Sequence, residues 1–169
     1  MDEIINKVAQ SNLLTFDLED YYVTGERMAL DISDWLHEGI VLREKEFRDK
    51  AKNYDWEQYK DAYVALYCSS DAIIPAWAFM LISSYLIPHV KKVVIGNMES
   101  LETSIYQDIL NNMDFSTFKD KPIIVKGCSK KSVPQNAYIL AMEKLQPVVR
   151  SIFYGEACSS VPLYKKRKD

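Results

Sequence analysis

The sequence predicts an α/β domain built on a mixed sheet. Its core is parallel βαβ in strand order 2-1-3-4, with helices on both faces, and antiparallel strands are added from the N-terminal part. Three observations predict this. From Tyr63 onward, short apolar runs alternate with helix-length segments, which is the pattern of βαβ units. Two of those segments open on Pro75 and Pro134, and proline at a first helical position sacrifices no helical amide. The stretch Pro75–Gly96 also aligns without gaps on Pro134–Gly155, with seven identities in 22 positions: Pro75, Ala78, Leu81, Leu86, Pro88, Val90 and Gly96 match Pro134, Ala137, Leu140, Leu145, Pro147, Val149 and Gly155. Each copy reads as strand, Cys-Ser loop, helix, strand, glycine.

The elements follow in order. Leu13–Leu18 and Arg27–Ile32 read as two strands joined by a turn at Val23-Thr24-Gly25. Ile40–Leu42 reads as a third short strand. Arg43–Tyr54 mixes charges of both signs over a helical length and reads as an exposed helix. Asp55–Lys60 connects it to the core, with Trp56 and Tyr59 as pins. Tyr63–Tyr67 is a strand, Pro75–Pro88 a helix, Val93–Ile95 a strand and Ser100–Asn112 an amphipathic helix. Ile123–Val125, Pro134–Leu145 and Ile152–Tyr154 complete the series. The helix at Pro75 carries no charge, whereas its copy carries Glu143 and Lys144. The first is therefore expected to be covered more completely, by the N-terminal part or by a partner subunit.

Composition bounds the function. A chain of 169 residues, 48% hydrophobic and 27% charged, is an ordinary globular size and make-up. The reading is one domain over 1–169: N-terminal strands and helix to residue 60, a repeated core over 61–164, and a basic tail at 165–169. A net charge of −3 argues against general nucleic-acid binding. Ala72–Val90 lacks charge, but it is marginal in length for a membrane span and carries two prolines. The N-terminal MDEIINKVAQSN has no apolar signal core, so a cytoplasmic protein is expected, with no membrane partner.

The cysteines suggest the site. Cys68, Cys128 and Cys158 are each followed by serine and then by proline, and each follows a strand-like run. Ligands of parallel sheets bind beyond the carboxyl ends of the strands. On neighbouring strands the three thiolates could close on one ion, with zinc the first choice and an iron–sulfur cluster the second. Asp71, Glu99 and Glu156 are the nearby candidates for a fourth ligand. Ser69, Ser129 and Ser159 would donate hydrogen bonds to sulfur around the bound cofactor. The alternative for each cysteine is a small buried hydrophobe. Gly25-Glu26-Arg27 and Arg43-Glu44-Lys45 are expected to form surface pairs, and His89 a structural helix end.

The phrases FDLEDYY, GER, LREKEFR, CSSDAIIPAWA, VKGCS and YGEACSSVPLYK span nearly the whole chain. They resemble an uncharacterised family of small bacterial proteins, a domain of unknown function found mainly in Bacteroidetes. The resemblance implies one full-length domain and supplies no activity, substrate or cofactor. The leading expectation is thus a metal-binding protein with a three-cysteine site; whether it is an enzyme is left open. Two alternatives stand beside it: a non-enzymatic, dimeric interaction or regulatory domain, and a thiol redox sensor. A second copy of the chain is the candidate partner.

Overall fold

The computed structural model describes residues 12–127 and 130–167. The N-terminal stretch read above for a signal core lies, through residue 11, outside the described residues. The strands are β1 (Leu14–Asp17), β2 (Arg27–Asp31), β3 (Tyr63–Tyr67), β4 (Lys92–Ile95), β5 (Pro122–Lys126), β6 (Ser151–Glu156) and β7 (Ser159–Lys165). The helices are α1 (Glu44–Asn53), α2 (Ala76–Leu86), α3 (Met98–Asn112) and α4 (Gln135–Leu145).

The fold is mixed α/β, with two sheets rather than one. A three-stranded sheet runs β2-β3-β4 and a four-stranded sheet runs β1-β5-β6-β7. This replaces the expected order 2-1-3-4. The N-terminal strands are parallel, not antiparallel: β1 pairs with β5 and β2 with β3. No hairpin joins them because each ends on an aspartate that closes a tight turn. Asp17 Oδ1 accepts from Glu19 N–H at 3.0 Å and Asp31 Oδ1 from Ser33 N–H at 2.9 Å, and such Asx turns compete with continued strand. Among the described residues the only antiparallel pair of strands is β6–β7. The strand expected at Ile40–Leu42 reduces to a single bridge between His37 and Val41.

The chain divides into two compact units. Residues Val23–Ser104 form one, and the flanking segments form the other. We call the first the inserted unit and the second the flanking unit. In the inserted unit Leu30, Val64 and Leu66 meet Phe47 and Ala51 of α1 and Ala78, Ile82 and Leu86 of α2 in one buried cluster. Sequential parallel strands with crossovers of one hand place both helices on one face. Within the same unit Glu102, in the first half of α3, grips Arg27 of β2. In the flanking unit Phe16, Leu18, Ile123, Val125 and Ile152 pack with Tyr106 and Leu110 of α3 and with Ala137, Ala141 and Leu145 of α4.

The internal repeat extends further than the prolines that first mark it, and hydrogen bonds carry it residue by residue at an offset of 59, the separation of Pro75 from Pro134. Asp61 N–H donates to His89 O at 2.8 Å, and Asp120 N–H to Val148 O at 2.9 Å. Lys91 N–H donates to Ala62 O, and Arg150 N–H to Lys121 O. Both aspartates are left-handed, with φ of 59° and 56°, a conformation aspartate tolerates better than most residues. Upstream, Asp55 and Asp114 accept from the amide two residues on. The N-terminal strands match as well, through Phe16-Asp17-Leu18 against Leu30-Asp31-Ile32, and Leu14↔Ile123 repeats the register of Met28↔Val64.

Arg27 departs from its expected surface role. Its Nε donates to Glu102 Oε1 at 2.7 Å and its Nη2 to Oε2 at 3.3 Å, with the two side chains only 13% and 9% exposed. The guanidinium also lies 4.9 Å from the Tyr63 ring centre. Gly25 makes room here, since a Cβ on it would lie 2.8 Å from Tyr63 Cε2. By contrast Arg43–Glu46 and Arg48–Glu44 are exposed pairs. The expected basic tail begins inside β7, and Lys166 N–H donates to Arg150 O. Removing one partner of a buried ion pair costs more than removing both. Glu102→Ala should therefore lower stability by about 3 kcal/mol in urea unfolding, and the double change Arg27→Met, Glu102→Leu should recover most of it. A loss of under about 0.5 kcal/mol, the size of an ordinary surface effect, would contradict this.

Candidate functional site

The carboxyl ends of the parallel strands differ between the two units. In the flanking unit the end is closed by charge. Lys126 lies 3.5 Å from Asp17 and 3.7 Å from Glu156, and Lys130 N–H donates to Glu19 Oε1 at 2.8 Å. In the inserted unit it is closed by hydroxyls around Asp31. Asp31 Oδ1 accepts from Ser33 N–H and from Ser69 N–H at 3.0 Å, and the hydroxyls of Ser69 and Ser33 are 3.1 Å apart. Burial pushes the Asp31 carboxyl up, but the hydrogen bonds from Ser69 and Ser33 outweigh it and hold the group below its ordinary value.

The expected metal centre is not formed. Cys68 is half-buried after β3, in the inserted unit, with its thiol 3.8 Å from Ser70 O. Cys158 is exposed in the β6–β7 turn, in the flanking unit. Cys128 and Ser129 lie outside the described residues. Among the described residues no three His, Cys, Asp or Glu side chains gather to hold an ion. The reason is positional. The residue equivalent to Cys68 is Gly127, not Cys128, and a Cβ on Gly127 would lie 3.1 Å from both Leu18 Cβ and Tyr138 Oη. Cys158 sits on a hairpin that the inserted unit lacks. Ser69 serves Asp31 rather than sulfur, and Ser159 opens β7. Of the fourth-ligand candidates, Glu99 lies in the first turn of α3 and Glu156 beside Lys126. His37 and His89 approach Glu46 and Glu57, each at 3.3 Å.

What the inserted unit does assemble is an apolar surface. A groove of about 580 Å³ runs beside the start of α2, lined by Ile40, Val41, Leu42, Ile73, Pro75 and Trp77, with Glu44 and Asp71 at its polar margin. From there an outward stripe follows α2. Ile73 is 94% exposed, Met80 70% and Ile87 64%, with the small Ala76 and Ser84 between them. The buried face of the same helix is Ala78, Ile82 and Leu86. So, among the described residues, the N-terminal part covers one side of α2 only. The equivalent stripe on α4 reads Ser132, Gln135, Ile139, Glu143 and Gln146. Its one apolar member, Ile139, is 59% exposed. The chain belongs to the family described as protein of unknown function (DUF2480). That family matches residues 2–166. No curated protein and no solved structure matches the chain. No helix among the described residues is long and apolar enough to cross a membrane.

The exposed stripe was visible in the sequence as an uncharged helix, but its outward face was not, because covered and uncovered apolar positions look alike until the packing is known. Asp31 was missed because its partners are two and 38 residues away. A group whose folded pKa is depressed stabilises the fold above the ordinary carboxylate range, and that contribution fades as pH falls through the folded value. Asp31→Asn should thus cost about 1 kcal/mol at neutral pH, discounted for solvent screening. The gap from the parent should close below about pH 4. Denaturant unfolding across pH 3–8 reads this, and a gap that widens in acid would contradict it.

Proposed function

We propose that the protein is a non-enzymatic interaction module that pairs with a second copy of itself through the outward face of α2. The observation that carries this is the contrast between two equivalent helices. Both fill the same place in the same βαβ unit, so the fold asks the same of each. One presents Ile73, Met80 and Ile87 where the other presents Ser132, Ile139 and Gln146. The apolar stripe is therefore not a requirement of folding, and contiguous exposed apolar surface marks interaction sites.

A second copy fits this surface for two reasons. The stripe contains no charge that would select a charged partner. Met80 also lies near the middle of α2, with Ile73 before its start and Ile87 just past its end, so a two-fold axis at Met80 sets apolar surface of one copy against apolar surface of the other. That is the self-complementarity an isologous dimer needs. Covering the exposed parts of Ile40, Val41, Ile73, Met80 and Ile87 in both copies would gain on the order of 10–20 kcal/mol. Association costs about 4–15 kcal/mol. The stripe and the groove together are of the size that cost demands, whereas a single exposed isoleucine is not.

The expected behaviour is a mass twice that of the 19.6 kDa chain in sedimentation equilibrium. Met80→Glu would bury a charge at the axis and should weaken association at least 30-fold, a penalty of about 2 kcal/mol. Ile139→Glu, the same change at the equivalent helix, should leave association intact. A monomeric parent protein, or equal effects of the two substitutions, would overturn the reading.

A further inference from the structure

We propose that the amino end of the parallel strands in the four-stranded sheet is a docking surface for an acidic, carboxylate-rich segment of a protein partner. This surface lies within the flanking unit and does not depend on the α2 dimer. Backbone hydrogen bonds place its cations. Arg150 N–H donates to Lys121 O at 2.9 Å, and Lys166 N–H donates to Arg150 O at 2.8 Å. One step further into the sheet the pairs are Pro122↔Ser151 and Ser151↔Lys165. Lys121, Arg150 and Lys166 therefore stand side by side on three neighbouring chains, about 4.8 Å apart. Lys119, Lys165 and Arg167 flank the row, and all six residues are exposed. Two acids share these segments. Asp120 lies 3.5 Å from Lys166, and Asp114 is held by the amide and hydroxyl of Ser116.

Like charges side by side on adjacent strands cost stability, so the row needs a reason outside the fold. The internal repeat shows that the fold does not ask for it. Lys91 N–H donates to Ala62 O as Arg150 N–H does to Lys121 O, so Ala62 fills the place of Lys121. Among the described residues the three-stranded sheet has no counterpart of β7, and so none of Lys165, Lys166 or Arg167. In the inserted unit Glu57 lies 3.3 Å from His89, whereas Ser116 and Val148 stand in their places here. At equivalent ends of equivalent units, one has gained cations and lost an anion.

Charge and shape select the partner. Six cations and two acids give this end a charge of +4, and the whole chain carries −3, so the remainder carries −7. Screening acts over about 8 Å at physiological ionic strength. A short acidic segment meets the row alone, whereas a long nucleic acid or an anionic membrane also meets the acidic remainder. Phe118 and Tyr164, the aromatic residues at this end, pack on the core instead of standing free to stack on bases. A peptide also finds an apolar foothold. A groove of about 440 Å³, lined by Ile139, Met142, Pro147 and Tyr164 with Glu143 and Gln146 as polar members, adjoins the row through Tyr164, the neighbour of Lys165 in β7. At the centre of the row the Arg150 guanidinium offers paired N–H donors that suit a carboxylate.

The test is fluorescence anisotropy of the full-length protein with a labelled peptide of glutamate and leucine, glutamate in excess. The peptide should bind, its glutamine counterpart should not, and added salt should weaken the affinity. Lys121→Glu should weaken binding at least tenfold. Lys60→Glu, at the place in the inserted unit equivalent to Lys119, should leave it unchanged. Lys121→Ala should be no less stable than the parent in urea unfolding, because Ala62 fills the same place in the repeat. A peptide that fails to bind, or equal losses from Lys121→Glu and Lys60→Glu, would overturn the docking surface. Tighter binding of a single-stranded oligodeoxynucleotide, or of phosphatidylcholine–phosphatidylglycerol vesicles, than of the peptide would overturn it too. A clear loss of stability in Lys121→Ala would assign the row to folding and have the same consequence.

Discussion

Each unit is closed by one small clasp of main chain. A left-handed aspartate, Asp61 or Asp120, donates its amide to the carbonyl just past the crossover helix, and the next residue's carbonyl takes an amide in return. These bonds fix where β3 and β5 begin relative to the ends of α2 and α4. The register of the strands, the buried faces Ala78-Ile82-Leu86 and Ala137-Ala141-Leu145, and the outward faces of both helices follow from that placement. Because the clasp is the same in both units, the two helices meet the same structural demands. A difference between their outer surfaces then needs an explanation outside the fold, and that is the route from geometry to function here.

Much of the architecture was legible in the residues. Tyr63–Tyr67 reads as a strand because it is buried almost throughout, and the Pro75 and Pro134 segments read as helices because proline marks their starts. Both prolines stand one place earlier than expected, as extended caps before the first helical residue. The repeat was legible where identities are dense and fades where they become substitutions of kind, as in Trp56 for Phe115 and Tyr59 for Phe118. The match between Asp17 and Asp31 escaped detection because its offset is 14, not 59: one unit interrupts the other between β1 and its partner β5. β7 escaped because Pro162 and two serines obscure its alternation. Arg27 escaped because its carboxylate is 75 positions away.

The cysteines show how a sequence phrase can mislead. Cys-Ser followed by proline recurs three times, yet Cys68 and Cys128 differ by one place in their copies, and Cys158 belongs to a hairpin found in one copy only. In a βαβ unit a shift of one place at the strand end changes what a side chain meets. At Cys68 the thiol has room beside Ser70 O. At the equivalent Gly127, the backbone passes Leu18 and Tyr138 too closely for an unstrained Cβ. Recurrence of residue types signals a shared site only when the positions themselves superpose.

The most direct measurement of the central claim is an isotope-filtered NOE experiment on a mixture of ¹³C-methyl-methionine protein and unlabelled protein. The account predicts intermolecular contacts from the Met80 methyl to isoleucine side chains of the second copy. A dimer whose Met80 methyl shows no intermolecular contact, or whose contacts arise at the methionines of the flanking unit, would contradict it.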